Sequence, residues 1–532
     1  GGATGSCAPC GTLPRPVLRR RDGCAPPAHS SRMAIETWSE RLNPTDAMFL
    51  DIEDRGAHMH VGGVFVFRGR PPPFRDFVAY LESRLALVPR FRQRLLPVPL
   101  GLGRPVWVDD ARFDITHHAK HSAVVPPGGD EELQRAAARI SSRPLDRARP
   151  LWELELVEGV ADDRFAVVSK THHAVLDGIA GNSVIAAITD GEPVFQVTAP
   201  RSTWTPRPAP GPLALTADAV RDGITAPARL LRDALRSPTG ARRFLGGSVL
   251  GVAALARLIR EGRAADLGLD GVVGHDRRFE MVTVDLAAVR RVGMALGATV
   301  NDVVLALVTA GARALLRHRG VRLRDDVRAF VPVNVRPPGA PETLGNRVAV
   351  VFCPLPVADP DPLRRVRRIA AAMKERKERH EAAASLALAR LAELVPPLVA
   401  ATFARLEVAY RRFHLVVSNV PGARRPRYLL GRRLLSFHPL IPISRQQQLS
   451  VGLHTYCDTI GFGIAADADA APDVAIFAKA LAAELPVLLH ATRDVAVAPV
   501  PITPRAPAEA PAPASAAAPA PAREPPGPGR RP

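Results

Sequence analysis

Two adjacent histidines followed four residues later by Asp-Gly, in the run Lys170-Thr-His-His-Ala-Val-Leu-Asp-Gly178, carry the clearest potential for chemistry in this chain. Imidazole takes up a proton near neutral pH, its ordinary pKa being about 6.5, so a histidine presented to a cleft is a natural general base. Asp177 supplies a carboxylate able to cap a helix, and Gly178 a residue free to adopt positive φ. A short apolar run over 165–168 leads into the pair and a helical pattern follows over 179–188, so the stretch reads as strand, tight turn, helix. A turn at a strand end projects side chains into a cleft while regular structure holds them still. The chain has neither a G-x-S-x-G elbow nor a Walker A loop, which points to a base acting on a bound hydroxyl or amine. A base alone suffices when the electrophile is as reactive as a thioester. The tetrahedral oxyanion then needs a donor, for which Asn301, Ser418 and backbone amides near the turns are candidates.

The elements that position these groups need more than one ordinary domain. At 532 residues, with 47% apolar and 23% charged residues, the chain has a globular composition and length for two domains plus tails. The longer Ala/Val/Leu-rich stretches are punctuated by Arg, so an integral membrane span is not expected. Cys7, Cys10, Cys24, Cys353 and Cys457 form no disulfide framework, and Cys7-x-x-Cys10 lacks a second ligand pair; a reducing compartment and no metal are expected. His117-His118 has no carboxylate or cysteine at ligand spacing and reads as strand or loop.

Residues 1–32 contribute +4 and residues 494–532 contribute +1 to the formal charge of +19, so the excess belongs to the folded body. Aromatic residues make up only 5%, with no helix-turn-helix, zinc or RNP pattern, which argues against specific nucleic-acid readout. Anionic lipid surfaces and phosphate-bearing ligands remain as partners, beside the plain reading of a solvated Arg-rich surface.

In chain order, residues 1–32 lack the apolar core of a secretory signal, and folding is expected from near Met33. A first unit over 33–200 holds a capped turn and strand over 42–67, helices over 74–88 and 130–140, and Pro150-Leu-Trp152 before an alternating strand, with Trp152 expected to pack in a core or cleft wall. Residues 201–270 read as a helical, basic linker whose amphipathic faces suit packing or a membrane surface. A second unit over 271–493 brings strands over 279–284, 327–335, 346–356 and 413–420, a buried helix after Thr299-Val-Asn-Asp302, and a hairpin over 449–466. The Ala/Pro-rich residues 494–532 are expected to be disordered.

His172-His-Ala-Val-Leu-Asp-Gly178 resembles the HHxxxDG signature of the acyl-coenzyme-A-dependent acyltransferase superfamily. Pro44-x-Asp46, Pro150-Leu-Trp152, Asn301-Asp302, Pro332-x-Asn-Val-Arg336, Gly345-Asn346, Ser418-Asn-Val-Pro-Gly422 and Gly461-Phe-Gly463 with Asp467 occur in the order found in bacterial wax ester synthase/diacylglycerol acyltransferases, a resemblance covering about residues 40–487. It implies an α/β fold of two chloramphenicol-acetyltransferase-like domains with mixed sheets and a channel between them. It further implies His173 as general base, Asp177 and Gly178 as residues holding the loop, and a ternary complex without an acyl-enzyme. Because adjacent residues in an extended turn face opposite ways, His172 is not expected to share the role of His173. Asn301-Asp302 resembles a pair linked to activity, although a helix N-cap explains Asn301 equally; Ser418-Asn419 falls near the channel or in a plain turn.

The resemblance carries acyl-CoA as co-substrate with no further cofactor, diacylglycerol or a fatty alcohol as acceptor, and a cytoplasmic location on the inner membrane face or lipid bodies. Condensation-type transfer to another hydroxyl or amine, and a non-catalytic lipid-surface protein, are the rival readings. Asp458, where the pattern has Gly, and the shortened Leu267-Gly-Leu-Asp270 depart from the family text and bear on acceptor choice.

Overall fold

The computed structural model describes residues 37–54, 56–178, 185, 188–194, 204–235, 264–334, 348–378 and 413–493. Two mixed six-stranded sheets organise them. The first runs Tyr428–Leu429, Arg432–Leu440, His60–Arg68, Arg164–His172, Trp152–Val160, Ala119–Ala123, antiparallel except for the last pair. The second runs Val348–Leu355, Val327–Asn334, Leu415–Val420, Leu449–Tyr456, Thr459–Asp467, Arg277–Asp285, with Leu415–Val420 parallel to both neighbours. A strand parallel to both neighbours must be reached by crossovers, and Leu415–Val420 buries Leu415 and Val417 while Val416 and Ser418 are half-buried.

Helices pack on both sheets, and their ends follow from their residues. Pro44–Ile52 starts where the Asn43 side chain accepts from Asp46 N at 2.7 Å, with Pro44 at the position whose missing N–H costs nothing. Leu286–Leu296 is capped by Asp285 and stops at Gly297, which takes φ +62°. Val300–His318 has thirteen buried residues and packs with Val474–Ala491 against the second sheet. Val474–Ala491 is long and apolar enough to cross a membrane by length and composition, but Phe477, Leu481, Leu485 and Leu488 place its inner face in that core.

The structure corrects the division into units at one place. The strand Arg432–Leu440 lies within the range assigned to the second unit, yet it hydrogen-bonds to His60–Arg68 and so completes the first sheet. It also packs against Leu449–Tyr456 and Thr459–Asp467, so it links the two halves. That approach requires glycine: a Cβ on Gly461 would lie 2.1 Å from Phe437 O, and one on Gly463 1.9 Å from Pro439 O. A third core cluster joins Val64, Leu133 and Ala136 of the first half to Phe279, Leu440 and Ala465 of the second. Gln93–Leu96 pairs with Val106–Asp109, and that with Glu40–Arg41, in a small third sheet.

The expectations for the helix over 179–188 apart from Ile185 and Ile188, Val335 and Arg336, Gly345-Asn346, most of the linker after residue 235 and both tails lie outside the described residues.

Candidate active site

The histidine pair stands where the strand Arg164–His172 gives way to a 3₁₀ turn, His173–Gly178. Alternation along that strand sends Lys170 and His172 to the same side, into the protein, with side chains only 2% and 1% exposed. Lys170 Nζ pairs with Glu153 Oε2 at 2.9 Å and donates to Arg143 O at 2.8 Å. Burial lowers the Lys170 pKa, and Glu153 opposes that shift. The ring of His172 accepts from Ala174 N at its Nδ1, 3.0 Å away, which leaves its proton on Nε2, facing Glu53 Oε2 at 3.5 Å.

His173 points elsewhere. Its ring stacks on Phe49 with centroids 3.6 Å apart and planes 19° from parallel, and its backbone N donates to Met59 O at 2.8 Å. The residue is half-buried; its Nδ1 is buried with no partner on another residue. Burial pushes its pKa down to about 4, His172 adds to the shift, and a hydrogen bond to its own main chain opposes it. His172 and His173 therefore have separate surroundings, as their opposed directions predict. The side chain of Asp177 lies outside the described residues, as does that of its neighbour Leu176; Asp177 and Gly178 are described only as the last backbone of the turn.

Sequence reasoning passed over Glu53, the residue on which the surroundings of His172 converge. It ends the helix Pro44–Ile52 as its C-cap, with a side chain 9% exposed. Besides His172, its carboxylate faces His58 Nδ1 at 3.7 Å and His60 Nε2 at 3.8 Å, accepts from Met59 N at 3.3 Å, and receives Arg147. Burial would raise the Glu53 pKa, but hydrogen bonds from His172, His58 and Arg147 hold it far below the usual carboxylate range. The available signal was the spacing Glu53, His58, His60 before an apolar strand, which reads as a charged turn until the strand pairing sets His60 opposite His172. Ligand atoms of Glu53, His58 and His60 lie within 4.8 Å of one another, near enough for a divalent ion, although both carboxylate oxygens are already engaged by Met59 N and Arg147. The second half fastens the same turn: Arg277 donates to Gly56 O, and Arg445 pairs with Asp54 at 3.0 Å.

In the second sheet the structure brings together Asn301 and Asn419, 118 residues apart, with Asn419 Nδ2 donating to Asn301 Oδ1 at 3.3 Å. The helix-cap explanation of Asn301 is thereby corrected. The N-cap is Thr299, and Asp302 completes a capping box by accepting from Thr299 N at 2.8 Å and Thr299 Oγ1 at 2.7 Å. Asp302 is thus an anchor of the helix start, and Asn301 is left to meet Asn419. Ser418 is half-buried on the strand Leu415–Val420, in register with Gly452. No described hydrogen bond joins these residues to His173. Trp152 is a packing residue, its indole between Phe91 and His118 and its Nε1 donating to Phe91 O at 2.8 Å; His118 is held there through Trp152 O at 2.8 Å.

With this geometry, comparison with known proteins is decisive. Residues 42–304 match the wax ester synthase/diacylglycerol acyltransferase catalytic domain, and residues 344–488 match the C-terminal domain of the same enzymes. A probable diacylglycerol O-acyltransferase of Mycobacterium tuberculosis is 33% identical over 447 residues, 83% of this chain and 94% of that one. The chain belongs to the wax ester synthase/diacylglycerol acyltransferase family. A solved member from Marinobacter aquaeolei VT8 superposes with a TM-score of 0.60 at 27% identity, covering 85% of this chain and all of that one. The starter condensation domain of rhizomide synthetase, with a TM-score of 0.51 at 13% identity over 86% of this chain, shares the fold. The two mixed sheets of this acyltransferase are thus the α/β architecture that the HHxxxDG resemblance implied.

Proposed function

We propose that this acyltransferase moves a fatty acyl group from coenzyme A to the hydroxyl of diacylglycerol, with a fatty alcohol as the second acceptor, and that His173 is its general base. The observation that carries the assignment is the contrast between the two histidines: His172 is 1% exposed and turned to Glu53, whereas His173 is the half-buried member at the strand end. In the neutral ring one nitrogen carries the proton and the other a lone pair, and we assign the lone pair to Nε2. In this reading Nε2 takes the hydroxyl proton as the oxygen attacks the thioester carbonyl carbon. The tetrahedral oxyanion then collapses, the C–S bond breaks, and the coenzyme A thiolate leaves with the proton from the imidazolium. No acyl-enzyme and no cofactor beyond the co-substrate acyl-CoA is required.

The Asn301–Asn419 pair is proposed as the oxyanion donor, since Asn419 occupies Asn301 Oδ1 and so leaves the Asn301 NH₂ as the donor end. Asp177 and Gly178 are proposed to hold the turn. The basic body is proposed to attract coenzyme A phosphates and to rest on an anionic surface of the inner membrane face or of lipid bodies. Binding to anionic vesicles should then weaken as salt is raised; salt-independent binding would sink that part.

Coenzyme A release from acyl-CoA plus diacylglycerol or fatty alcohol tests the assignment. His173→Ala should be inactive with an unchanged melting temperature, whereas His173→Ala with substantial turnover refutes the base.

A further inference from the structure

Three contacts lead from one helix to His173. Glu53 Oε2 faces His172 Nε2 at 3.5 Å, and His172 Nδ1 accepts from Ala174 N at 3.0 Å, so one route fixes the backbone just after His173. Glu53 Oε1 accepts from Met59 N at 3.3 Å, and Met59 O accepts from His173 N at 2.8 Å, so a second route fixes His173 itself. Phe49, one turn earlier on the same helix, stacks on the His173 ring at 3.6 Å. A single carboxylate thus grips the turn on both sides of the histidine, and its helix also sets the ring plane.

We propose that Glu53 is a positioning residue for acyl transfer, acting through His172 and Met59 to hold His173 in its working orientation, with Phe49 as the plate against which the imidazole lies. The inference rests on His173 being the base. A base must stay within a few tenths of an ångström of the proton it removes, and a ring held only by its own turn would lose that alignment. Arg147, which reaches both Glu53 and Leu50 O, steadies the carboxylate from the solvent side. His58 and His60 complete its surroundings.

The test compares Glu53→Gln, Glu53→Asp, Phe49→Leu and His173→Ala in the full chain, reading kcat, KM for acyl-CoA and melting temperature. Glu53→Gln should lower kcat on the order of 10- to 100-fold while KM for acyl-CoA stays within about twofold, and Glu53→Asp should recover part of the loss. Glu53→Gln with more than half of the wild-type kcat, or a loss matched by weaker acyl-CoA binding, would overturn the proposal. If Glu53→Gln does not fold, Phe49→Leu carries the test: kcat should fall roughly 3- to 10-fold at constant KM, and an unchanged kcat would overturn it. Chelator-treated wild-type protein should keep its activity; a zinc requirement lost in His58→Ala would overturn the proposal by making Glu53 a metal ligand. A dead His173→Ala beside a fully active Glu53→Gln defeats this inference alone, whereas an active His173→Ala defeats the base assignment beneath it.

Discussion

If His173 is the base, the acid side of the pH–rate profile reports its burial. Its pKa is pushed down to about 4 by loss of solvent, with His172 adding to the shift, so acidification to pH 5.5 leaves the imidazole unprotonated. At that pH about 97% of the base is competent if it titrates near 4, against about 9% for an ordinary histidine titrating near 6.5. Between pH 7.5 and 5.5 the protonation of His173 should therefore change kcat/KM by only a few per cent, where an unshifted histidine would cost about tenfold. The assay is initial-rate release of coenzyme A, read with a thiol reagent active in acid, at subsaturating acyl-CoA. Each acid sample is returned to pH 7.5 and reassayed, because other buried histidines destabilise the fold over the same range. An acid limb centred near 6.5, with full recovery on return, would refute the buried-base reasoning.

Those other histidines make a prediction of their own. Burial pushes His438 and His454 down to about 4 each. The unfolded chain binds their protons from about pH 6.5 downward while the folded chain resists until about 4, so stability is full above 6.5 and is lost as pH falls through that window. Each should cost about 1.3 kcal/mol between pH 7.5 and 5.5, and urea titrations of His438→Gln should show a pH slope shallower by about that amount; an unchanged slope would contradict it. Trp152→Ala, which removes an indole 1% exposed and stacked on two rings, should lose about 3–5 kcal/mol of stability, and a loss below about 1 kcal/mol would contradict its packing role. Asn301→Ala and Asn419→Ala should each lower kcat on the order of 100-fold, with the double variant scarcely worse than either; multiplicative losses would mean that the two amides act apart.

What the sequence disclosed, and what it withheld, follows from the range of the interactions involved. The strand and turn around His172 and His173 were legible because a short apolar run, paired histidines and Asp-Gly are local signals. Thr299 and Asp302 form a capping box within four residues, and even there the short-range rule offered Asn301, two positions past the true cap, as an N-cap. Arg432–Leu440 could not be assigned to the first sheet from its own residues, because its partner His60–Arg68 lies more than 360 residues earlier and nothing in a strand names its neighbour. Glu53 was hidden for the same reason. By spacing it is one acid in a charged turn, and it becomes the centre of the histidine cluster only when pairing of His60–Arg68 with Arg164–His172 sets His60 opposite His172 beneath the end of the first helix. The residues expected to do the chemistry are thus readable from local sequence, while the residue proposed to aim them is specified by sheet register.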